Sequence, residues 1–331
     1  MTVTELRFHE VEDAVRDIQR LIGDAREIGC LAHKDADADS LGSALAFAEA
    51  LREMGKHVHA VVPSPLPNAL RYLPGFETIV EQPPALDLLF TFDCATLHRF
   101  GDKVDLIESV AHVVNIDHHA SNDGFGEINL VDPKASATGQ VVYRLLAAMG
   151  CPVSPETATN LYAALLTDTG GFRHENTTEA ALRLGADLVA LGANAGWVAL
   201  KSYKSRTLPQ LRLEGLAIAQ TRTESEGRLV WSEITTAMLE EAGATMQEAE
   251  GVIDQLQTVE AMKIAILFKQ AAPSLTKVSV RSRDEVDATD VCVPFGGGGH
   301  RRAAGAELRV PLETARERVL EVARAQLRPR T

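Results

Sequence analysis

Short, mostly apolar runs alternate with longer amphipathic stretches through the first half of the chain. Residues 28–32, 58–62, 88–92 and 113–116 are runs of this kind and predict buried strands. Between the first two, residues 40–54 carry Leu41, Leu45, Ala48 and Leu51 near helical spacing and stop at Gly55. Residues 138–149 and 156–166 predict two more helices, the second opened by Ser154-Pro155. Strand and helix in alternation imply a parallel, doubly wound sheet. Ligands of such sheets gather beyond the carboxyl ends of the strands. His33, Asp93 and Asp117 all stand at those ends, which points to one shared site.

The pattern then changes. Residues 187–217 are helical and strand-poor, with an amphipathic, cationic stretch at 200–212. Strand signals return at 228–231, 263–268 and 277–280, with a helix expected at 245–259. The expected architecture is therefore α/β: an N-terminal doubly wound domain (1–190), a helical connector (191–217) and a smaller C-terminal α/β domain (218–331).

Composition narrows the function classes. At 331 residues, with 45% hydrophobic and 24% charged residues, the chain suits two ordinary globular domains. A formal charge of −13 argues against long duplexes, which are bound by broad basic surfaces. No apolar run approaches the ~20 residues that span a bilayer. The acidic residues among 1–10 do not form a secretory signal, so a cytoplasmic location is expected. Cys30, Cys94, Cys151 and Cys292 are scattered without CxxC pairing and suggest buried free thiols.

The chemistry lies in two dense clusters, His33-Lys34-Asp35-Ala36-Asp37-Ala38-Asp39 and Asp117-His118-His119. Carboxylates crowded together repel and desolvate one another unless a cation compensates them. Candidate metal ligands are His33, two of Asp35, Asp37 and Asp39, then Asp93, His118 and Asp168. Four carboxylates with two imidazoles match two divalent cations and favour manganese or magnesium over zinc. His57, His59, His112 and His174 are expected to be ordinary surface residues.

In order, His33 through Ser43, Phe92-Asp93, Asp117-His118-His119 and Thr167-Asp168-Thr169-Gly170 resemble the four motifs of the DHH phosphoesterase superfamily. Here Ala36 and Ala38 replace the usual Pro and Gly. Anchored on Leu41-Gly42-Ser43, the resemblance implies Asp37 and Asp39 as ligands and leaves Asp35 outside. It further implies one metal on His33, Asp37 and Asp93 and a second on Asp39, Asp93, His118 and Asp168. Asp93 would bridge them, Asp117 would orient a histidine, and His119 would meet the substrate phosphate or the leaving oxygen.

Near the end, Gly296-Gly297-Gly298-Gly299-His300 leads into Ala303-Ala304-Gly305 and follows Arg281-Ser282. Glycines let backbone N–H groups approach an anion, and adjacent His and Arg add charge-assisted hydrogen bonds. This segment resembles the DHHA1 substrate-binding domain, which implies Arg281, Ser282, Gly297, Gly298, Gly299 and His300 as substrate contacts.

The pairing of domains separates the superfamily's branches. It is similar to the stand-alone nanoRNase and pAp-phosphatase group, unlike pyrophosphatases with another second domain, longer exonucleases, or membrane-bound cyclic-dinucleotide enzymes. The implied activity is a metal-dependent phosphodiesterase, or exoribonuclease, and bisphosphate nucleotidase. It would release 5′-mononucleotides from short single-stranded RNA and remove the 3′-phosphate of 3′-phosphoadenosine 5′-phosphate (pAp). Hydrolysis of cyclic-di-AMP or pApA is the alternative, a non-catalytic nucleotide sensor the rival of another class, and a homodimer is left open.

Overall fold

The structure, a computed structural model, describes residues 8–249 and 251–327. Contacts divide the chain after Ser205. Among the described residues of the first unit, six strands pair in parallel: β1 (Glu27–Ala32), β2 (His57–Val61), β3 (Ile79–Val80), β4 (Leu88–Phe92), β5 (His112–Asp117) and β6 (Ile128–Val131). Their spatial order is β3-β2-β1-β4-β5-β6. Strand order reverses between β1 and β4, which opens a crevice at the carboxyl ends of those two strands.

Among the described residues, this unit has seven α-helices: α1 (Val11–Asp24), α2 (Ala38–Glu53), α3 (Val104–Ser109), α4 (Thr138–Met149), α5 (Pro155–Asp168), α6 (Glu179–Ala190) and α7 (Ala195–Tyr203). Helix α2 is buried nearly all round and packs on α4 and α5. Its Phe47 ring lies 4.6 Å from Phe90 and 5.7 Å from Phe92. A helix this enclosed holds its first turn rigidly, and that turn carries Asp37 and Asp39. The opposite face of the sheet is covered by Phe100, Ile107 and Val110, packed on Leu31, Val61 and Leu89.

The second unit begins with α8 (Leu208–Ala219) and contains β7 (Arg222–Glu224), β8 (Leu229–Ile234), α9 (Thr236–Ala242), α10 (Val252–Leu256), β9 (Ile264–Ala272), β10 (Leu275–Ser282), α11 (Thr289–Cys292), β11 (Gly298–His300), β12 (Ala303–Leu308) and α12 (Leu312–Gln326). The order is β11-β12-β10-β9-β8-β7, with β8 and β9 parallel and the other neighbours antiparallel. Alternate residues of β9 face two cores. Ile264, Ile266 and Phe268 meet α12, whereas Ala265 and Leu267 meet Leu213 and Ala217 of α8.

Expected strands appear within a residue of their sequence bounds in the first unit. The expected connector is shared between the units: α7 packs on α5, and α8 packs under the second sheet. The cationic run at 200–212 is interrupted after Tyr203, where Thr207 caps α8 by accepting from Gln210 N. The helix expected at 245–259 is corrected to a 3-10 turn (Met246–Ala249) followed by the short α10. Gly251 sits between them against the carboxylate of Glu214, and glycine weakens a continuous helix there.

Candidate metal centre

Each predicted ligand is delivered by the end of an element. His33 follows β1 directly. Asp37 is the N-cap of α2, its Oδ1 accepting from Ser40 N at 2.9 Å, and Asp39 lies in the first turn. Asp93 follows β4 with a positive φ of 59°, a left-handed conformation that aspartate tolerates better than most residues. Asp117 closes β5, so His118 and His119 start the next loop, and Asp168 is the last residue of α5.

These ends converge. His33 Nε2 lies 3.4 Å from Asp93 Oδ2 and 3.9 Å from Asp37 Oδ1. His118 Nε2 lies 3.4 Å from Asp93 Oδ1, 3.7 Å from Asp168 Oδ2 and 3.8 Å from Asp39 Oδ2. Three groups of ligand atoms are close enough to hold an ion: His33, Asp37 and Asp93; Asp93, His118 and His119; and Asp39, His118 and Asp168. Asp93 turns one oxygen to His33 and the other to His118. Asp35 is exposed and enters none of these groups.

Both inward histidines commit Nδ1 to a backbone carbonyl, His33 to Lys34 O at 2.8 Å and His118 to Ala135 O at 3.1 Å. That fixes the ring so that Nε2 faces the carboxylates, as metal-binding histidines require. His119 is held differently: its Nδ1 meets Asp117 Oδ1 at 2.7 Å. Asp117, fully buried, also accepts from the backbone N–H groups of His118 and His119.

Burial and the nearby carboxylates Asp93 and Asp168 push Asp39 well above the ordinary carboxylate range. Burial likewise raises Asp168 to about 7, with Asp93 adding to it against the opposing His118. For His118, burial would lower the value, but Asp168, Asp93 and Asp39 outweigh it and raise it to about 10. Burial opposes ionisation of Asp93 too, yet contact with His33 and the nearby His119 and His118 hold it below the ordinary range. These shifts favour positive charge at the cluster, as protons or as cations. Carboxylate and imidazole donors at these spacings fit a hard divalent ion, and the groups can hold one.

Sequence reasoning passed over the residues that brace this cluster. Thr138 N and Gly139 N, at the start of α4, donate to Asp39 Oδ2 and Oδ1 at 2.8 and 2.9 Å. The Thr138 hydroxyl donates to Asp93 Oδ1 at 2.9 Å. Asn122 Nδ2 donates to Asp117 Oδ2 at 2.5 Å and to Cys94 O at 3.2 Å. Asn176 Nδ2 reaches Asp168 Oδ2 at 3.3 Å. Asn122, three residues after the second cluster, was the most legible of these.

In the second unit, the predicted contact residues lie on β10 and in or beside the edge strand β11, with β12 between them. Arg281 of β10 faces Ala303 of β12, and β12 faces the glycine segment of β11. The Arg281 side chain is half-buried near Asp254. Ser282 is buried and donates its hydroxyl to Arg301 O at 2.8 Å, so it ties the loop to the sheet. A Cβ at Gly297 would stand 2.2 Å from Gly305 O, and one at Gly299 2.4 Å from Ala303 O; Gly298 faces open space. The backbone of His300 pairs with Ala303; its side chain lies outside the described residues. Among the described residues, no helix is long and apolar enough to cross a membrane.

Residues 27–167 match the family model for the DHH family, N-terminal domain, and residues 230–328 match the DHHA1 domain. A bifunctional oligoribonuclease and PAP phosphatase NrnA of Thermus thermophilus is 35% identical over 89% of this chain and 88% of its own. The Bacillus subtilis protein of the same name is 27% identical over 83% and 87%. A solved exopolyphosphatase-related protein from Bacteroides fragilis shares the fold, with a TM-score of 0.87 at 22% identity, covering 95% of this chain and 96% of that one.

Proposed function

The chain belongs to the DHH family of phosphoesterase hydrolases, and on that premise we propose that it is a cytoplasmic, manganese-dependent enzyme of short RNA and pAp. It would cut RNA oligomers of a few nucleotides to 5′-mononucleotides and release the 3′-phosphate of pAp. The observation that carries this reading is Asp93, whose two oxygens face separate histidines, His33 and His118. The activities named for the Thermus and Bacillus relatives support the substrate class.

In this proposal His33, Asp37 and Asp93 would hold one divalent ion, and Asp39, Asp93, His118 and Asp168 would hold the other. Such ions, when bound, supply hydroxide near neutral pH and offset charge on phosphoryl oxygens. The chain's own groups do the rest. Asp117 fixes the tautomer and angle of His119, which presents its other nitrogen to the leaving oxygen as an acid. Asp117 also stabilises the imidazolium, since its contact and the charge of Asp93 outweigh burial and raise His119. Arg281, Gly298 and His300 supply the contacts to the nucleotide end. Gly297, Gly299 and Ser282 hold that segment in shape.

A single panel tests the proposal: labelled RNA of increasing length, pAp, pApA, cyclic-di-AMP and pyrophosphate, each with Mn²⁺ and with Mg²⁺. The expected result is mononucleotides from the shortest RNAs and AMP from pAp, with Mn²⁺ preferred. Cleavage of pyrophosphate alone would overturn it, and turnover confined to cyclic-di-AMP and pApA would replace the substrate class.

A further inference from the structure

Thr138 contributes two donors to two different carboxylates. Its backbone N–H donates to Asp39 Oδ2 at 2.8 Å, and its hydroxyl donates to Asp93 Oδ1 at 2.9 Å. Gly139 N completes the grip on Asp39 at 2.9 Å. Thr138 is fully buried, and it is the first residue of α4, whose N-cap is Ala137. The hydroxyl therefore does not cap its own helix. It spans from the α4 start to the β4 end, across 45 residues of chain. Helix α4 packs on α1, α2 and α5, so its first residue is a fixed reference point.

We propose that Thr138 is a positioning residue that sets the spacing and orientation of Asp39 and Asp93 for divalent-cation binding. The proposal rests on the reading of these carboxylates as metal ligands. A carboxylate oxygen has two acceptor directions. A donor on one of them leaves the other aimed, and holding the ligand in place spares the ordering cost when a cation binds. The hydroxyl is the separable part, because the backbone donors survive any side-chain change.

The test is Mn²⁺ titration calorimetry on EDTA-stripped, full-length parent and variants, with kcat and KM measured alongside. Thr138→Val keeps the shape and removes the donor. It should weaken Mn²⁺ binding by about 10–100-fold, the usual effect of losing a contact that orients a ligand. At saturating Mn²⁺ its KM should change little. Thr138→Ser restores the hydroxyl and should return binding to within about twofold of the parent, well inside that range. If the valine protein fails to fold, Thr138→Ala carries the same expectation. Parent-like Mn²⁺ affinity in the valine or alanine protein would overturn the positioning role. So would a serine protein as weak as valine. A parent that binds no Mn²⁺ would instead overturn the metal reading on which the proposal stands.

Discussion

The strand ends of the first unit and the glycine segment of the second both announce themselves in the sequence, yet they differ in what their residues do. In the first unit, His33, Asp37, Asp39, Asp93, His118 and Asp168 arrive from five separate elements and face one another within ligand distance. Their residue types have little use except chemistry, since buried carboxylates are costly without compensation. In the second unit, much of the signal is backbone engineering. Gly297 and Gly299 are small because carbonyls of Gly305 and Ala303 occupy the space a Cβ would need. A cluster of charges reports function directly; a cluster of glycines reports a close approach, which function then uses.

The largest test of that contrast is Asp93→Asn beside Asp35→Asn. The first removes a charge shared by two ligand groups. Turnover should fall by on the order of 10³-fold on every substrate, since even a single lost orienting contact costs ~10–100-fold. Asp35 is exposed and outside those groups, so its variant should stay within about twofold, in the range of surface substitutions. Steady-state kinetics at saturating Mn²⁺ decide it. An active Asp93→Asn enzyme would remove the bridging role.

That outcome also marks how far the sequence could be read. Strand ends predict positions well because the chain leaves each strand at a fixed place, so His33, Asp93 and Asp117 were legible from hydrophobic runs alone. The choice between Asp35 and Asp37 was set by resemblance; in the fold Asp37 caps α2 within reach of His33 and Asp93, while Asp35 turns outward with a positive φ of 55°. Thr138 was not legible, because threonine at a helix start ordinarily signals a cap. Its bond to Asp93 depends on long-range packing of α4 that no local pattern encodes. The amphipathic spacing of Val11, Ala14, Ile18, Leu21 and Ile22 in α1 was a readable signal that was passed over. Strand β3, with two residues, offered almost none.

Gly297→Ala is the next largest break. A Cβ 2.2 Å from a backbone carbonyl forces the loop or β12 to shift, an overpacking cost of about 1–3 kcal/mol. Gly298→Ala, with open space around it, should cost about 1 kcal/mol or less on folding. Thermal unfolding of the two proteins should separate them by that difference. Equal melting temperatures would mean that the loop has room to move and that its glycines serve substrate rather than packing. His300→Ala should leave stability near the parent and raise KM about tenfold, the loss of one charge-assisted hydrogen bond at ~1.5 kcal/mol. A KM unchanged for both RNA and pAp would remove His300 from the substrate contacts.

The smallest effect sharpens the electrostatic half of the comparison. Asp168, raised to about 7 by burial, favours the fold in its protonated form. That contribution is complete below the ordinary carboxylate value of 3.8 and is lost as pH rises through 7. His118, raised to about 10 by Asp168, Asp93 and Asp39 against burial, acts in the same direction. Its contribution is complete below 6.5 and is lost as pH rises through 10. Metal-stripped protein should therefore lose a few degrees of melting temperature between pH 6 and pH 9. Because a cation binds the deprotonated ligands, added Mn²⁺ should restore more at pH 9 than at pH 6. A melting temperature that climbs with pH in EDTA would mean that the four carboxylates do not crowd one another, and the argument for cations at this centre would lose its electrostatic basis.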